Sequence, residues 1–238
     1  MDNVLNGHGL GLAYVNDPKI IEKLDQEEIF EDLAEGAYDA LVFRPERWRL
    51  ADHDHLVLAR ANRSGRYLGL LAASTDDSGG VPFLNIDTVF IAPEARELDL
   101  FQRMLALVVL RMEGVESAPS VITACTGSSA CMTALRQVAA CCPGAVLFPQ
   151  TDSPLVSLGT ASLARRLAMQ IVPRCPVDLA TGRVQGHRPQ TLGVLDLRAC
   201  PPETVVEAAR GLCRTRPSRA ALRAALGEPA LVRRAAKS

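Results

Sequence analysis

Aromatic residues are scarce in this 238-residue chain: six Phe, three Tyr and one Trp, 4% of the sequence. None of them falls between residues 200 and 238, where eight Lys/Arg stand against three acids. A basic tail without rings to stack on bases argues against a nucleic-acid partner. The seven cysteines, Cys125, Cys131, Cys141, Cys142, Cys175, Cys200 and Cys213, are odd in number and never spaced C-x-x-C. That excludes the usual zinc ribbon and gives no basis for a disulfide framework, and reduced thiols of a cytoplasmic protein fit better. No apolar run reaches about 18 residues and no basic start leads into one, so neither a membrane span nor a signal peptide is expected. The nucleotide-loop pattern G-x-x-x-x-G-K-[ST] and the zinc-protease pattern H-E-x-x-H are both missing.

What is present is ordinary globular composition. Hydrophobic residues make up 48% and charged residues 22%, which is enough to bury the core of one large domain. The formal net charge of −1 conceals an asymmetry. Residues 1–55 hold 13 acids and five Lys/Arg, whereas the last 39 residues are basic. An acidic face and a basic face, solvated or set against each other, account for this pattern.

Hydrophobic periodicity divides the chain. Leu10–Val15 reads as a first strand. Asp17-Pro18 then reads as a cap and first position of a helix running to about Glu35, with Ile20, Ile21, Leu24, Phe30 and Leu33 inward and Gly36 ending it. Leu56–Ala61, Tyr67–Ser74 and Phe83–Ile91 are strand-like and joined by the polar turns Asn62–Gly65 and Asp76–Gly80, an antiparallel meander. From Phe101 the pattern changes. Phe101, Met104, Leu105, Val108, Val109 and Met112 fall at i, i+3, i+4, i+7, i+8 and i+11, the stripe of an amphipathic helix. Val121–Cys125 is the next strand and Ser129–Ala139 the next helix, and a strand–helix–strand crossover implies that the flanking strands run parallel. Ala145–Phe148 (strand), Thr160–Ile171 (helix) and Thr191–Leu197 (strand) follow. Two Ala/Arg-rich helices close the chain, from about Glu203 to Cys213 and from a Ser218 cap to Gly227.

The most informative segment is the turn after the third meander strand, Val89-Phe90-Ile91-Ala92-Pro93-Glu94-Ala95-Arg96-Glu97-Leu98-Asp99-Leu100-Phe101. With the order of elements, it resembles the GNAT superfamily of N-acyltransferases over residues 10–148 and as far as Leu197. In that family an apolar-x-apolar-x-Pro strand end leads into Arg/Gln-x-x-Gly-x-Gly/Ala at a helix start. Free N–H groups there hold the pyrophosphate of acyl-coenzyme A. Val89, Ile91, Pro93 and Arg96 keep that register, while Asp99 and Phe101 stand where the two small residues belong. Asp99 is expected either to cap the helix with its carboxylate or to repel the anion together with Glu94 and Glu97. Phe101 either blocks the ligand or begins the helix core.

The resemblance implies a mixed α/β (α+β) central sheet flanked by helices, residues 1–198, with a C-terminal helical, Arg-rich extension, residues 199–238. It further implies acetyl-CoA or another acyl-CoA as cosubstrate, held by Val89, Ile91, Arg96, Asp99, Leu100 and Phe101, and a small-molecule amine acceptor deprotonated by Asp87. The family often draws its acid from a tyrosine on the following helix. Ser129–Ala139 has none, which leaves the role vacant or to Ser128, Ser129 or Cys131. A catalytically inactive GNAT-like protein binding a partner or another small ligand is the alternative, and a homodimer stays open. Three further clusters point to less. In Asp52-His53-Asp54-His55 both histidines would share one face if extended, giving two metal ligands without a third. Gly7-His8-Gly9-Leu10-Gly11 has neither a strand before it nor a helix after it in register for a nucleotide loop. Cys141-Cys142 lacks a nearby histidine and reads as structural.

Overall fold

The computed structural model describes residues 2–7, 9–35, 49–112, 118–150, 158–186, 189–215, 218 and 221–222. Nine strands in these residues form one mixed sheet: β1 (Asp2–Gly7), β2 (Leu10–Val15), β3 (His55–Ala61), β4 (Tyr67–Asp77), β5 (Pro82–Ile91), β6 (Val121–Thr126), β7 (Val146–Phe148), β8 (Arg183–Val184) and β9 (Gln190–Asp196). Their order is β1-β2-β3-β4-β5-β6-β9-β7, with β8 also on β9. The helices are α1 (Lys23–Glu35), α2 (Leu100–Met112), α3 (Ser129–Ala140), α4 (Leu158–Ile171) and α5 (Pro202–Arg214).

The meander is antiparallel and the crossover through α2 makes β5 and β6 parallel, as the strand–helix–strand order demands. No other pair among the described strands is parallel. Strand alternation sorts side chains onto two faces. On one face Leu84, Ile86, Leu71 and Ala73 join the core built with α2, α3 and α5. On the other, Leu56, Leu58, Leu70 and Ala72 pack under α1, and Phe83, Val121 and Val194 under α4.

Helix α2 is buried more completely than its stripe predicts. Besides the six expected positions, Leu100, Gln102, Ala106 and Leu107 are buried. The reason is α5, whose Val205, Ala209 and Cys213 enter the same core as α2, so the helix is covered on its outer side as well. Ala221 and Leu222, at the turn that Ser218 caps through the Ala221 N–H (3.1 Å), join it too.

Several expectations near the N-terminus are corrected. A strand, β1, precedes the glycine cluster and forms a hairpin with β2, so Gly9 serves a turn at φ 88°. Asp17 caps only a 3-10 turn at Pro18–Ile20, accepting from the Lys19 N–H at 3.1 Å, and α1 starts later, at Lys23. Ile20 consequently lies 62% exposed, while Ile29, which lay outside the inward set, is buried with Phe30 and Leu33. The Leu24 side chain, Gly36 as helix stop and the end at Gly227 lie outside the described residues.

Candidate functional site

Beta strands β5 and β6 pair over only three residues each, Leu84–Ile86 with Ile122–Ala124. Beyond Ile86, β5 keeps β4 along one side, continuing to Ile91 opposite Gly69, and loses its partner on the other. The two strands part there, and a cleft of about 720 Å³ opens between them. That size falls within the range of small-ligand sites. Its walls are Asp87–Ile91 of β5, Ala124–Thr126 of β6, and the first turns of α2 and α3. Parallel strands thus deliver two helix N-termini to one opening, each with main-chain N–H groups that lack intrahelical partners.

The seven residues to which the resemblance gave a catalytic or cosubstrate role all border this cleft: Asp87, Val89, Ile91, Arg96, Asp99, Leu100 and Phe101. The loop that brings the last four there is a 3-10 turn, Pro93–Leu98. Its threefold period places Ala92, Ala95 and Leu98 on the buried side and leaves Arg96 and Glu97 exposed. Phe101 is buried in the core beneath α2, so it begins the helix core while edging the cleft.

Asp99 does not cap α2 with its side chain. It adopts φ 51°, ψ 35°, the left-handed region, and among the described residues it is the only non-glycine with positive φ. Its carbonyl accepts the Arg103 N–H at 3.2 Å, and its carboxylate has no hydrogen bond among the described residues. A side-chain cap uses an extended backbone, and the left-handed one turns the carboxylate away from that geometry. Asp is among the few residues that tolerate this region, which otherwise calls for glycine. The backbone therefore has the shape a glycine would give, although the glycine is missing.

The negative charge expected around the loop is partly offset. Glu94 pairs with Arg66 at 2.8 Å, and Arg66 also donates to the Asp32 carbonyl of α1 (3.4 Å). Asp99 lies within the field of Arg103, whose guanidinium is held below its ordinary value by burial, against the opposing pull of Cys213 and Asp99. Arg96 is exposed at the cleft, with no ion pair among the described residues.

Asp87 sits at a β-bulge: Ala72 pairs with Thr88 and Ala73 with Ile86, leaving Asp87 as the extra residue. Bulges re-aim side chains, and here the carboxylate meets three donors. His53 Nδ1–H donates to Oδ2 at 2.9 Å, Ser74 Oγ–H to Oδ2 at 2.6 Å, and Asn85 Nδ2–H to Oδ1 at 2.6 Å. Asn85 in turn accepts from Thr123 Oγ–H of β6 at 2.8 Å. The ionisable partner of Asp87 among the described residues is thus a histidine. His53 and His55 do not share a face. His53 precedes β3, while His55, inside it, bonds Tyr14 (2.7 Å) and Thr75 (2.9 Å). Among the described residues no group of three His, Cys, Asp or Glu could hold a metal ion.

On the opposite wall Ser128 caps α3, accepting from the Cys131 N–H at 3.4 Å, and Ser129 and Cys131 line the cleft. Burial pushes the Cys131 thiol up to about 11, despite a hydrogen bond with Thr126. Gln102 Nε2–H donates to Gln137 Oε1, joining α2 to α3 across the cleft wall. The close approach of α3 to β9 depends on Gly193, where a Cβ would stand 2.8 Å from Met132 Sδ. His53, Ser74, Asn85, Thr123, Gln102 and Gln137 were not legible as site residues, because a bulge and a cross-strand network leave no periodic trace. The Asp52-His53-Asp54-His55 run before β3, read from the sequence as two metal ligands without a third, was the one available hint.

No family model and no curated protein matches the chain. Solved structures that it is similar to include a GCN5-related N-acetyltransferase from Brucella melitensis, 14% identical over 87% of this chain and 83% of that one, TM-score 0.47. Another is the ribosomal-protein-S5-alanine acetyltransferase from Vibrio fischeri, 8% identical over 85% and 100% respectively, TM-score 0.45. A third is the N-acetylglutamate synthase from Neisseria gonorrhoeae, solved with coenzyme A and N-acetyl-glutamate, 15% identical over 78% and 35%, TM-score 0.44. The GNAT-like character of the fold is carried by the chain's own topology: an antiparallel meander, a crossover helix, and one short parallel pair that parts at its C-terminal ends. No helix of the described residues is long and apolar enough to cross a membrane.

Proposed function

We propose that this protein is an acyl-coenzyme A-dependent N-acyltransferase, using acetyl-CoA or a related thioester on a small amine. The observation that carries the reading is the cleft between β5 and β6. Its walls combine two helix N-termini, the glycine-like backbone at Asp99 and the exposed Arg96. Such N–H groups and a cation suit a pyrophosphate. The side of β5 that faces the cleft, beyond the three residues laddered with β6, offers main-chain groups to an extended acyl–pantetheine chain, and one N–H there would polarise the thioester carbonyl. Val89 and Ile91 supply apolar wall for its methylene groups. Asp87 stands beside that strand segment, where an acceptor amine must lose a proton. Ser129 and Cys131, at the start of α3, are the candidate donors to the departing sulfur.

The chemistry asks for an amine nitrogen to attack the thioester carbon as the carbon–sulfur bond breaks. The assay is thiol release from acetyl-CoA by the purified protein, measured with a panel of primary amines: amino acids, aromatic ethylamines and linear diamines. Amine-dependent release above the hydrolytic background is expected. Release that no amine stimulates would favour the inactive, ligand-binding relative instead.

A further inference from the structure

The carboxylate of Asp87 accepts on both oxygens. Oδ2 already accepts from His53 and Ser74, and Oδ1 from Asn85. The donors are themselves fixed in sense. Thr123 and Asn85 lie opposite each other across β5 and β6, and Thr123 Oγ–H points the Asn85 carbonyl oxygen toward β6 and its NH₂ toward Asp87. The last consequence falls on His53. An ionised carboxylate can only accept, so Nδ1 carries the hydrogen and the lone pair of the neutral ring is on Nε2. Among the described residues Nε2 has no hydrogen-bond partner, and the His53 side chain keeps 14% of its surface exposed.

We propose that His53 is the proton acceptor for the incoming amine, and that Asp87 is a positioning residue which sets its tautomer. The inference deepens the transferase reading and rests on it. Leu84 and Ile86 belong to the core beneath α2, so Asn85 and the Ser74 paired with it stand on the opposite sheet face. An acceptor approaching the cleft from that face meets His53 beside the bulge. Asp87 of β5 is bonded to His53, and Asp52 and Asp54 adjoin it along the chain, the last held by the Thr75 N–H of β4 at 2.8 Å. All are acidic and attract an ammonium while repelling a carboxylate. An ammonium gives one proton to Nε2, and the imidazolium formed is held by Asp87 until solvent takes the proton. The freed nitrogen pair bonds to the thioester carbon. The carbon–sulfur bond then breaks with its electron pair on sulfur, and the second proton, lost from the adduct nitrogen, ends on that sulfur as the free thiol.

The test has two arms. Long-range ¹⁵N–¹H correlation of the imidazole in the full chain reads the tautomer without any substrate. Wild type is expected to show His53 as Nδ1–H, and Asp87→Asn, whose amide can donate to Nδ1, to convert it to Nε2–H. The second arm is amine-dependent thiol release from acetyl-CoA. His53→Gln is expected to lower kcat roughly a hundredfold, to leave the KM for acetyl-CoA unchanged, and to remove the acidic limb of the pH–rate profile. Asp87→Asn should lose rate similarly through the wrong tautomer. An Nε2–H tautomer in wild type, or wild-type kcat in His53→Gln, would overturn the proposal. Wild type that acetylates no amine would sink the transferase reading, and the base role with it, whatever the tautomer. The Nδ1–H tautomer together with the loss of kcat supports it.

Discussion

Asp99 holds a left-handed backbone at φ 51° with its carboxylate unbonded, at the mouth of a cleft suited to an anion. Two effects separate here: backbone strain and charge. A non-glycine in this region costs on the order of 1 kcal/mol, less for Asp and Asn than for others. Glycine removes the strain, but its freer unfolded chain offsets about 0.4–1 kcal/mol. Asp99→Asn should therefore match wild type in urea unfolding and Asp99→Gly should equal or slightly exceed it. Asp99→Val should lose about 1–2 kcal/mol, because a branched side chain is a poor fit to positive φ. Equal stability of Val and Gly variants would show that the left-handed backbone is absent in solution. The sequence marked Asp99 as a departure from the family's glycine but could not say that the backbone survived the change. Dihedral angles are set by the buried Ala95, Leu98 and Leu100 on either side, not by the residue alone.

Helix α2 shows how far periodicity reaches. The six-residue stripe from Phe101 to Met112 was legible because burial against a sheet selects one helical face. Burial of Leu107 and Ala106 was not, since it depends on α5, whose position about a hundred residues later no local pattern encodes. Leu105 is 1% exposed and borders residues of β6, α3 and α5, including Ile122, Val138 and Val205. Leu105→Ala should cost about 2–5 kcal/mol by chemical denaturation, and a loss under 1 kcal/mol would mean that α2 does not pack as described. The same limit applies to α1. Its acidic outer face and inward Phe30 and Leu33 followed from pattern, yet its start slipped to Lys23 because a 3-10 turn took up the Asp17-Pro18 signal.

The whole molecule turns on one topological event, the parting of β5 from β6 after three paired residues. The crossover that makes these strands parallel was legible from the order strand, helix, strand. The extent of their pairing was not, because a strand reads the same in sequence whether or not it has a neighbour. The cleft opens at that parting, α2 and α3 converge upon it, and the bulge in the β4–β5 ladder turns Asp87 toward His53 beside it. The central claim, that this cleft takes an acyl-coenzyme A, is tested most directly by calorimetric titration of acetyl-CoA into wild type, Asp99→Asn and Arg96→Ala at low and physiological salt. The account predicts one-to-one binding by wild type. Binding should be several-fold tighter in Asp99→Asn, where a charge repelling the pyrophosphate is gone, and about tenfold weaker in Arg96→Ala, with both differences shrinking as salt rises. Heat-silent titrations by all three proteins, or binding indifferent to both substitutions, would contradict it.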